Sequence, residues 1–174
     1  MDIDHVVGSF ALQIQNEKEN TMTTDTKQPF DVLGVLLQWQ LRSHDTDGQY
    51  CALLATVPPQ CMVPPHLHVE QEAFFMLEGT GEFAQLIDGK LHWKPVAAPE
   101  MINIPSDSVH GFRNSSDRDI KCLITAHPRI EKFFLEAAAP VRCQPSAPSA
   151  GEIERVLAIA RKHGQRFLAP DTDA

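Results

Sequence analysis

Two histidines separated by one residue stand near the middle of the chain, directly after a pair of prolines. The segment begins Val63-Pro-Pro, continues through His66 and His68, and then carries Glu70 and Glu72. Proline cannot continue a helix, and alternate side chains of an extended strand share one face, so both imidazoles can point into one cavity. Imidazole nitrogens and carboxylate oxygens suit a divalent transition metal, whether iron, manganese, nickel, copper or zinc. The segment therefore predicts one such ion, whose identity the residues do not select.

A third histidine follows a second short apolar segment. Residues 101–114 read Met-Ile-Asn-Ile-Pro-Ser-Asp-Ser-Val-His-Gly-Phe-Arg-Asn, which is an apolar strand, a turn and then His110. A His-x-His pair alone is a weak signal, because paired strand histidines are commonly structural. The pair, a nearby glutamate and a third histidine behind a Pro-x-Asp turn form a much rarer combination. His110 is therefore a candidate ligand beside His66 and His68.

The two segments together resemble the two motifs of the cupin superfamily. The first motif is His-x-His, three residues, Glu, six residues and Gly; the second is Pro, four residues, His, three residues and Asn. The matching residues, in chain order, are His66, His68, Glu72, Gly79, Pro105, His110 and Asn114. The flanking residues are most similar to single-domain, quercetinase-like cupins, and the likeness covers residues 39–170. It implies a metal site made of His66, His68, Glu72 and His110.

The sequence departs from the family pattern at three positions. Gln60, Pro99 and Asp107 stand where glycines are expected. Aspartate tolerates the left-handed turn conformation better than most residues, so Asp107 is a mild departure. None of the three is a predicted ligand. The distance to Gly79 fits the motif for Glu72 rather than Glu70, although strand alternation alone does not separate these carboxylates.

The residues around both segments read as short strands separated by turns. Candidate strands are rich in β-branched and aromatic residues and cover residues 31–42, 49–57, 73–78, 82–88, 90–96, 101–104, 109–114 and 120–126. Asp47-Gly48 and Asp88-Gly89 predict hairpins, and Gly79-Thr-Gly81 predicts another. Such spacing indicates an all-β barrel or sandwich. The resemblance selects the cupin barrel, a double-stranded β-helix or jelly roll.

Helical patterns replace the strands after residue 128. Apolar spacing predicts a short helix over residues 129–138 and an amphipathic helix over residues 150–163. Ser149 and Glu152 fit a capping box at the start of the second helix, and Gly164 marks its end. We expect the helices to pack on the outside of the barrel, with their apolar stripe serving core packing. The predicted organisation is an N-terminal strand or connector at 1–30, a barrel at 31–128 and a helical extension at 129–174.

Composition limits the classes of partner. The 174 residues carry a net charge of −8, whereas nucleic acids and anionic membranes attract basic surfaces, so we expect neither partner. No segment approaches the length of a membrane span, the N-terminus is acidic where a secretory signal is basic, and the cysteines show no Cys-x-x-Cys spacing. These features favour a cytoplasmic protein with reduced thiols. A strand at Val6–Ile14 could pair with a second subunit, so a homodimer is the default expectation.

Function is predicted from the ligand set and its surroundings. Three imidazoles and one carboxylate leave coordination positions open for a small-molecule substrate, and Glu72 could also act as a general base. Candidate walls of the substrate pocket are Trp39, Tyr50, Phe74, Met76, Phe83 and Phe112. The resemblance implies an oxygen-dependent dioxygenase acting on a small aromatic or enolizable substrate. The alternatives are a non-redox metal-dependent isomerase, cyclase or hydrolase, and a non-enzymatic small-molecule-binding cupin.

Overall fold

The computed structural model describes residues 28–142 and 146–168. Those residues form eleven strands, two α-helices and a 3-10 helix at Ser43–Thr46. The strands are β1 (Phe30–Val32), β2 (Val35–Leu41), β3 (Cys51–Val57), β4 (Met62–Leu67), β5 (Glu72–Glu78), β6 (Thr80–Ile87), β7 (Lys90–Ala97), β8 (Glu100–Ile104), β9 (His110–Arg113), β10 (Ile120–Ala126) and β11 (Arg166–Phe167). The helices are α1 (Pro128–Ala137) and α2 (Ala150–Lys162). The strand predicted at Val6–Ile14 lies outside the described residues.

The strands form two antiparallel sheets. One sheet has the order β1-β2-β3-β10-β5-β8, and the other has the order β11-β4-β9-β6-β7. Apolar side chains from both sheets share one core, in which Phe83, Leu53 and Met76 are among the largest fully buried residues. Two sheets that bury their inner faces against each other in this strand order make a jelly roll. The predicted all-β double-stranded β-helix with C-terminal helices is therefore confirmed.

Two of the three predicted hairpins are present. β6 and β7 pair along their whole length, and Asp88 and Gly89 between them have φ angles of 50° and 76°. Positive φ at both central residues is what a tight hairpin turn requires. β2 and β3 also pair, and the 3-10 helix lengthens their connection before Asp47 turns the chain at φ 51°.

The hairpin predicted at Gly79-Thr-Gly81 is wrong. β5 pairs with β10 and β8 in one sheet, whereas β6 pairs with β7 and β9 in the other. Gly79 has φ +87°, and a Cβ atom there would lie 3.1 Å from the backbone oxygen of Asp119. Glycine therefore lets the chain cross from one sheet to the other close to the start of β10. Turn residues predict a change of direction, but the choice of partner strand depends on the whole sheet.

Two positions where the cupin motif expects glycine keep the backbone conformation that glycine favours. Gln60 has φ 60° and Asp107 has φ 56°, which are both left-handed. The N–H of Gln60 donates to the carbonyl of Asn114 at 2.8 Å, and the N–H of Asp107 donates to the carbonyl of His68 at 2.9 Å. These turns therefore connect the two histidine-bearing segments even though their residues depart from the motif.

The helices are held by specific polar contacts. The carboxylate of Glu131 on α1 accepts hydrogen bonds from Nε of Arg42 at 2.5 Å and from the N–H of Ser43 at 2.8 Å. The capping box predicted for α2 is present, with Ser149 and Glu152 each bonded to the other's backbone N–H.

In the part of the chain that the structure describes, no helix is long and apolar enough to cross a membrane.

Candidate metal centre

Three imidazoles meet because β4 and β9 are neighbours in the five-stranded sheet. His66 on β4 lies directly opposite His110 on β9, and His68 comes two residues later, so its side chain returns to the same face. Ring centroids are 4.3 Å apart for His66 and His110, and 4.8 Å apart for His68 and His110. One nitrogen of each ring lies within 4.8 Å of the other two. The three histidines thus form a cluster that could hold a metal ion.

Backbone carbonyls fix the protonation of two of these rings. Nδ1 of His66 lies 2.8 Å from the carbonyl oxygen of Pro64, and Nδ1 of His110 lies 2.9 Å from that of Ser108. A carbonyl oxygen only accepts, so each Nδ1 carries the proton and each Nε2 keeps a lone pair. Burial lowers the pKa of His66 to about 4 and that of His110 to about 3. Both rings are therefore neutral near pH 7, in the form that binds a metal.

The third ring shares the same burial and leaves a nitrogen unpaired. Burial lowers the pKa of His68 as well. Among the described residues, Nδ1 of His68 and Nε2 of His110 are buried without a hydrogen-bond partner. Native structures rarely leave buried nitrogens unpaired, and such groups call for a partner such as an ion. Nε2 of His110 is placed to bind a metal.

Glu72 joins the cluster from the first residue of β5. Its Oε2 lies 3.8 Å from Nε2 of His68 and 3.7 Å from Nε2 of His110. Two ligand atoms that are each about 2.1 Å from one ion lie at most about 4.2 Å apart, so these separations fit one shared ion. Burial, together with the negative charge of Glu70, raises the pKa of Glu72 to about 8. Because the neighbouring imidazoles are neutral, this carboxylate needs a cation in order to stay ionised at neutral pH.

Glu70 lies on the other side of the His68 ring. Its Oε2 is 3.6 Å from Nδ1 of His68, and its Oε1 is 3.5 Å from the guanidinium of Arg129. Strand alternation does not separate Glu70 from Glu72, but the chain bends between β4 and β5 and turns the two carboxylates apart. Glu72 therefore lies on the Nε2 side of His68 and His110, whereas Glu70 lies on the Nδ1 side of His68.

A strand that the sequence patterns did not predict covers His66. In β11, Phe167 pairs with His66 of β4, and the N–H of Leu168 donates to the carbonyl of Pro65 at 3.1 Å. The rings of Phe167 and His66 are stacked, with centroids 5.6 Å apart and planes inclined by 30°. Two residues are too few for a periodic signal, so the one available clue was an aromatic residue soon after the helix stop at Gly164.

Next to the cluster lies a cavity of ≈ 140 Å³ with mostly apolar walls. His66, His68, Glu72 and His110 all line it. Its barrel wall includes Leu37, Val63, Phe74, Phe83, Phe112 and Ile124. An apolar cavity of about 150 Å³ is large enough to take a benzene ring. The structure therefore places room for one ring directly beside the histidines.

Trp39, Tyr50 and Met76, which were predicted to line the substrate pocket, do not line this cavity. Trp39 is buried farther along β2, where it stacks on Phe30 and meets the edge of Phe134. Met76 is fully buried in the packed core, two residues beyond the cavity wall on β5. Tyr50 is 44% exposed and lies on a separate open groove. Residue type predicts burial of such side chains, but not which interior space they face.

The apolar stripe of α2 contributes to the cavity as well as to packing. Val156 and Ala160 pack with Phe133 and Ala137 of α1, as expected of core residues. Val156, Ala160 and Phe133 also line the cavity. The helices are thus part of its wall, and the expectation that the stripe serves packing alone was incomplete.

The family model that describes the cupin domain matches residues 53–126. This range runs from β3 to β10 and contains His66, His68, Glu72 and His110. Residues 53–126 form a cupin domain. No curated protein is significantly similar to the chain in sequence.

Solved structures share the cupin fold. A predicted oxalate decarboxylase from Thermotoga maritima aligns with a TM-score of 0.52 and 21% identity, over 58% of this chain and 92% of that one. The polyketide cyclase RemF from Streptomyces resistomycificus gives 0.51 and 20%, over 74% and 80%. Oxalate decarboxylase from Bacillus subtilis, which has Mn(II) centres, gives 0.50 and 19%, over 57% and 27%. These similarities show the fold alone, and a quercetinase-like subgroup stays a prediction.

Proposed function

We propose that His66, His68, Glu72 and His110 bind one divalent transition metal. The support is the chemistry of the donor set: neutral buried imidazoles, a ring nitrogen that lacks a partner, and a buried carboxyl that needs a cation to ionise. Imidazole and carboxylate together suit iron, manganese, nickel, copper and zinc, so the identity of the metal stays open.

We further propose that this cupin is an enzyme of the dioxygenase type that acts on a small aromatic or enolizable substrate. The observation that carries this proposal is the position of Glu72, a buried carboxyl at the boundary between the imidazoles and an apolar cavity. A carboxylate in this position can accept a proton from a substrate in the cavity and return it. A purely structural or storage site has no need of such a group.

Each group has a separate task in the proposed reaction. Glu72 accepts the proton of an acidic hydroxyl, or of a carbon beside a carbonyl, on its carboxylate oxygen. Phe74, Phe83 and Phe112 hold the substrate ring and exclude water, which keeps solvent from returning the proton. The bound metal supplies Lewis acidity toward a substrate oxygen and, if it is redox-active, a route for electrons to dioxygen.

A non-redox isomerase or cyclase is the second candidate. The observation that favours it is the same base, because proton transfer by Glu72 is sufficient for such reactions without dioxygen. A redox-inert metal such as zinc would select this candidate, whereas iron would select the first.

Elemental analysis of purified protein tests the metal site. The His66→Ala/His110→Ala variant should lose a near-stoichiometric metal, whereas a matched control in two exposed histidines, His44→Ala/His92→Ala, should keep it. With a redox-active metal, oxygen consumption is then measured with single-ring phenols, small enolizable keto acids and a flavonol. We expect the small compounds to react faster, because a flavonol exceeds the cavity volume. Failure to take up any of the five metals would leave a small-molecule-binding cupin.

We also propose that the protein is a cytoplasmic homodimer. On the outer face of the six-stranded sheet, Leu54, Leu123, Phe75 and Met101 are in register across four strands. A contiguous apolar row on a sheet surface is typical of a protein interface. The proposed cytoplasmic location is supported by the free thiols of the described cysteines Cys51, Cys61 and Cys122.

A further inference from the structure

Gln165 is a buried polar residue in the wall of the mostly apolar cavity beside the histidines. It is 7% exposed and lies between α2 and β11, where it lines the cavity together with the histidines. Its backbone N–H donates to the carbonyl of Ala160 at 2.9 Å. Its side-chain carboxamide has no hydrogen-bond partner within residues 28–142 and 146–168. Among the described residues, the side-chain atoms that are sealed from solvent without a partner are Nδ1 of His68 and Nε2 of His110, so the carboxamide of Gln165 keeps contact with accessible space. It can therefore bond a ligand that enters the cavity.

The ladder between β4 and β11 begins directly after Gln165. Arg166 pairs with Leu67 and Phe167 pairs with His66. The stack of Phe167 on His66 places this segment against the imidazoles. Gln165 and the histidines line the same cavity.

We propose that Gln165 is a specificity-determining residue that hydrogen-bonds a polar substituent of the substrate. The proposal rests on the proposed function, because it assumes that a small substrate enters this cavity. A carboxamide can donate to a carbonyl or anionic oxygen and can accept from a hydroxyl. Most of the cavity wall is apolar, so we expect a ring that carries an oxygen substituent toward Gln165 to be selected over one that carries a methyl group there.

A structural role for Gln165 predicts a different result. A carboxamide that holds the fold together is bonded to the protein, and its replacement by leucine destabilises the folded state. An amide that faces the cavity makes no hydrogen bond within the described protein, so the same replacement leaves the melting temperature unchanged or raises it. A lower preference for phenol without a lower melting temperature is therefore expected only if Gln165 bonds the substrate.

The test compares Gln165→Leu with Gln85→Leu, a matched change of an exposed glutamine on β6. The probes are phenol and toluene, which share one ring and differ in a hydroxyl against a methyl group. Their dissociation constants are measured by calorimetry on the full chain as purified, under nitrogen to prevent reaction with dioxygen. The metal content and the melting temperature of each sample are recorded as well.

We expect the wild-type protein and Gln85→Leu to prefer phenol, and Gln165→Leu to reduce that preference about tenfold, as loss of a hydrogen bond of about 1.4 kcal/mol would. The melting temperature of Gln165→Leu should not fall. An unchanged preference, a lower melting temperature, or failure of both probes to bind the wild type would overturn the proposal. If the purified protein contains no metal but Gln165→Leu still loses the preference for phenol, the metal-dependent function would be contradicted and the role of Gln165 would stand.

Discussion

Phe167 lies directly opposite His66 across the β4–β11 ladder, with the two rings stacked at 5.6 Å. The next residue back, Arg166, bonds the carboxylate of Asp107 at 2.7 Å, in the turn that precedes His110. The strand is thus attached to both histidine-bearing segments. The C-terminal part of the described chain is therefore a wall of the candidate metal centre as well as a cover for the barrel.

Replacement of Phe167 by alanine should widen the site more than it weakens the fold. Phe167 is half-buried, so we expect the free energy of unfolding to fall by about 1–2 kcal/mol, less than the roughly 3–5 kcal/mol of a fully buried phenylalanine. Metal content should not change, because the ring offers no ligand atom. Binding of 1-naphthol relative to phenol should improve, which calorimetry would measure. Leu168→Ala, in the neighbouring half-buried residue, should not show this improvement, and loss of metal in Phe167→Ala would contradict the prediction.

The histidine cluster could be predicted from one local pair of histidines and from motif spacing. His66 and His68 share a face by strand alternation, and the motif spacing added Glu72 and His110. The contribution of β11 could not be predicted, because Phe167 reaches His66 by pairing with a strand about a hundred residues away in sequence. Such long-range pairing leaves no periodic signal in two residues.

Only some of the residues that line the cavity beside the histidines were among the predicted wall residues, for a related reason. Phe74, Phe83 and Phe112 line it, whereas Met76 is packed solid in the core. All four are large apolar residues on strands. Their type predicts that they are buried, but it does not predict whether they face the cavity or the packed core. Gln165 was overlooked because a single glutamine beyond a helix stop is an ordinary surface residue in most chains.

The pH dependence of stability should reveal the buried carboxyl of Glu72. Its pKa is raised from 4.5 to about 8, so in metal-free protein the folded state holds a proton that the unfolded state has released between these values. Stability due to this group is therefore present below pH 4.5 and is lost as the pH rises through 8. Metal-free Glu72→Gln should match the wild type near pH 5 and exceed it by about 2–4 kcal/mol near pH 8.

Urea denaturation in EDTA at pH 5, 6.5 and 8 measures this difference. The histidines change stability in the opposite sense, below pH 6.5, but they do so equally in both proteins and cancel. Glu154→Gln, in an exposed glutamate of α2, serves as the matched control and should follow the wild type at every pH. Parallel profiles for wild type and Glu72→Gln would show that burial does not perturb this carboxyl.

Removal of the negative charge of Glu70, which lies beside Nδ1 of His68, should weaken metal binding. Glu70 Oε2 lies 3.6 Å from Nδ1 of His68, and a carboxylate at this nitrogen makes Nε2 a stronger ligand. Glu70→Gln should raise the dissociation constant of the metal about tenfold, by analogy with other groups that orient metal-binding histidines. Competition with a chelator of known affinity measures the change. Arg129→Gln is the control, since its side chain is 67% exposed and its charge is screened; an effect as large as that of Glu70→Gln would contradict the assignment.

The apolar row on the six-stranded sheet should hold two copies of the chain together. Met101 is 63% exposed and pairs with Phe75, which pairs with Leu123, so the row continues from the edge of the sheet toward its centre. Met101→Glu with Leu123→Glu would place like charges from both copies in one interface, and we expect this variant to run as a folded monomer in light scattering. Leu86→Glu, in a residue of β6 that is 48% exposed on the other sheet, should remain dimeric. A wild-type protein that runs as a monomer would contradict the dimer. A double variant that stays dimeric would show that the interface lies elsewhere.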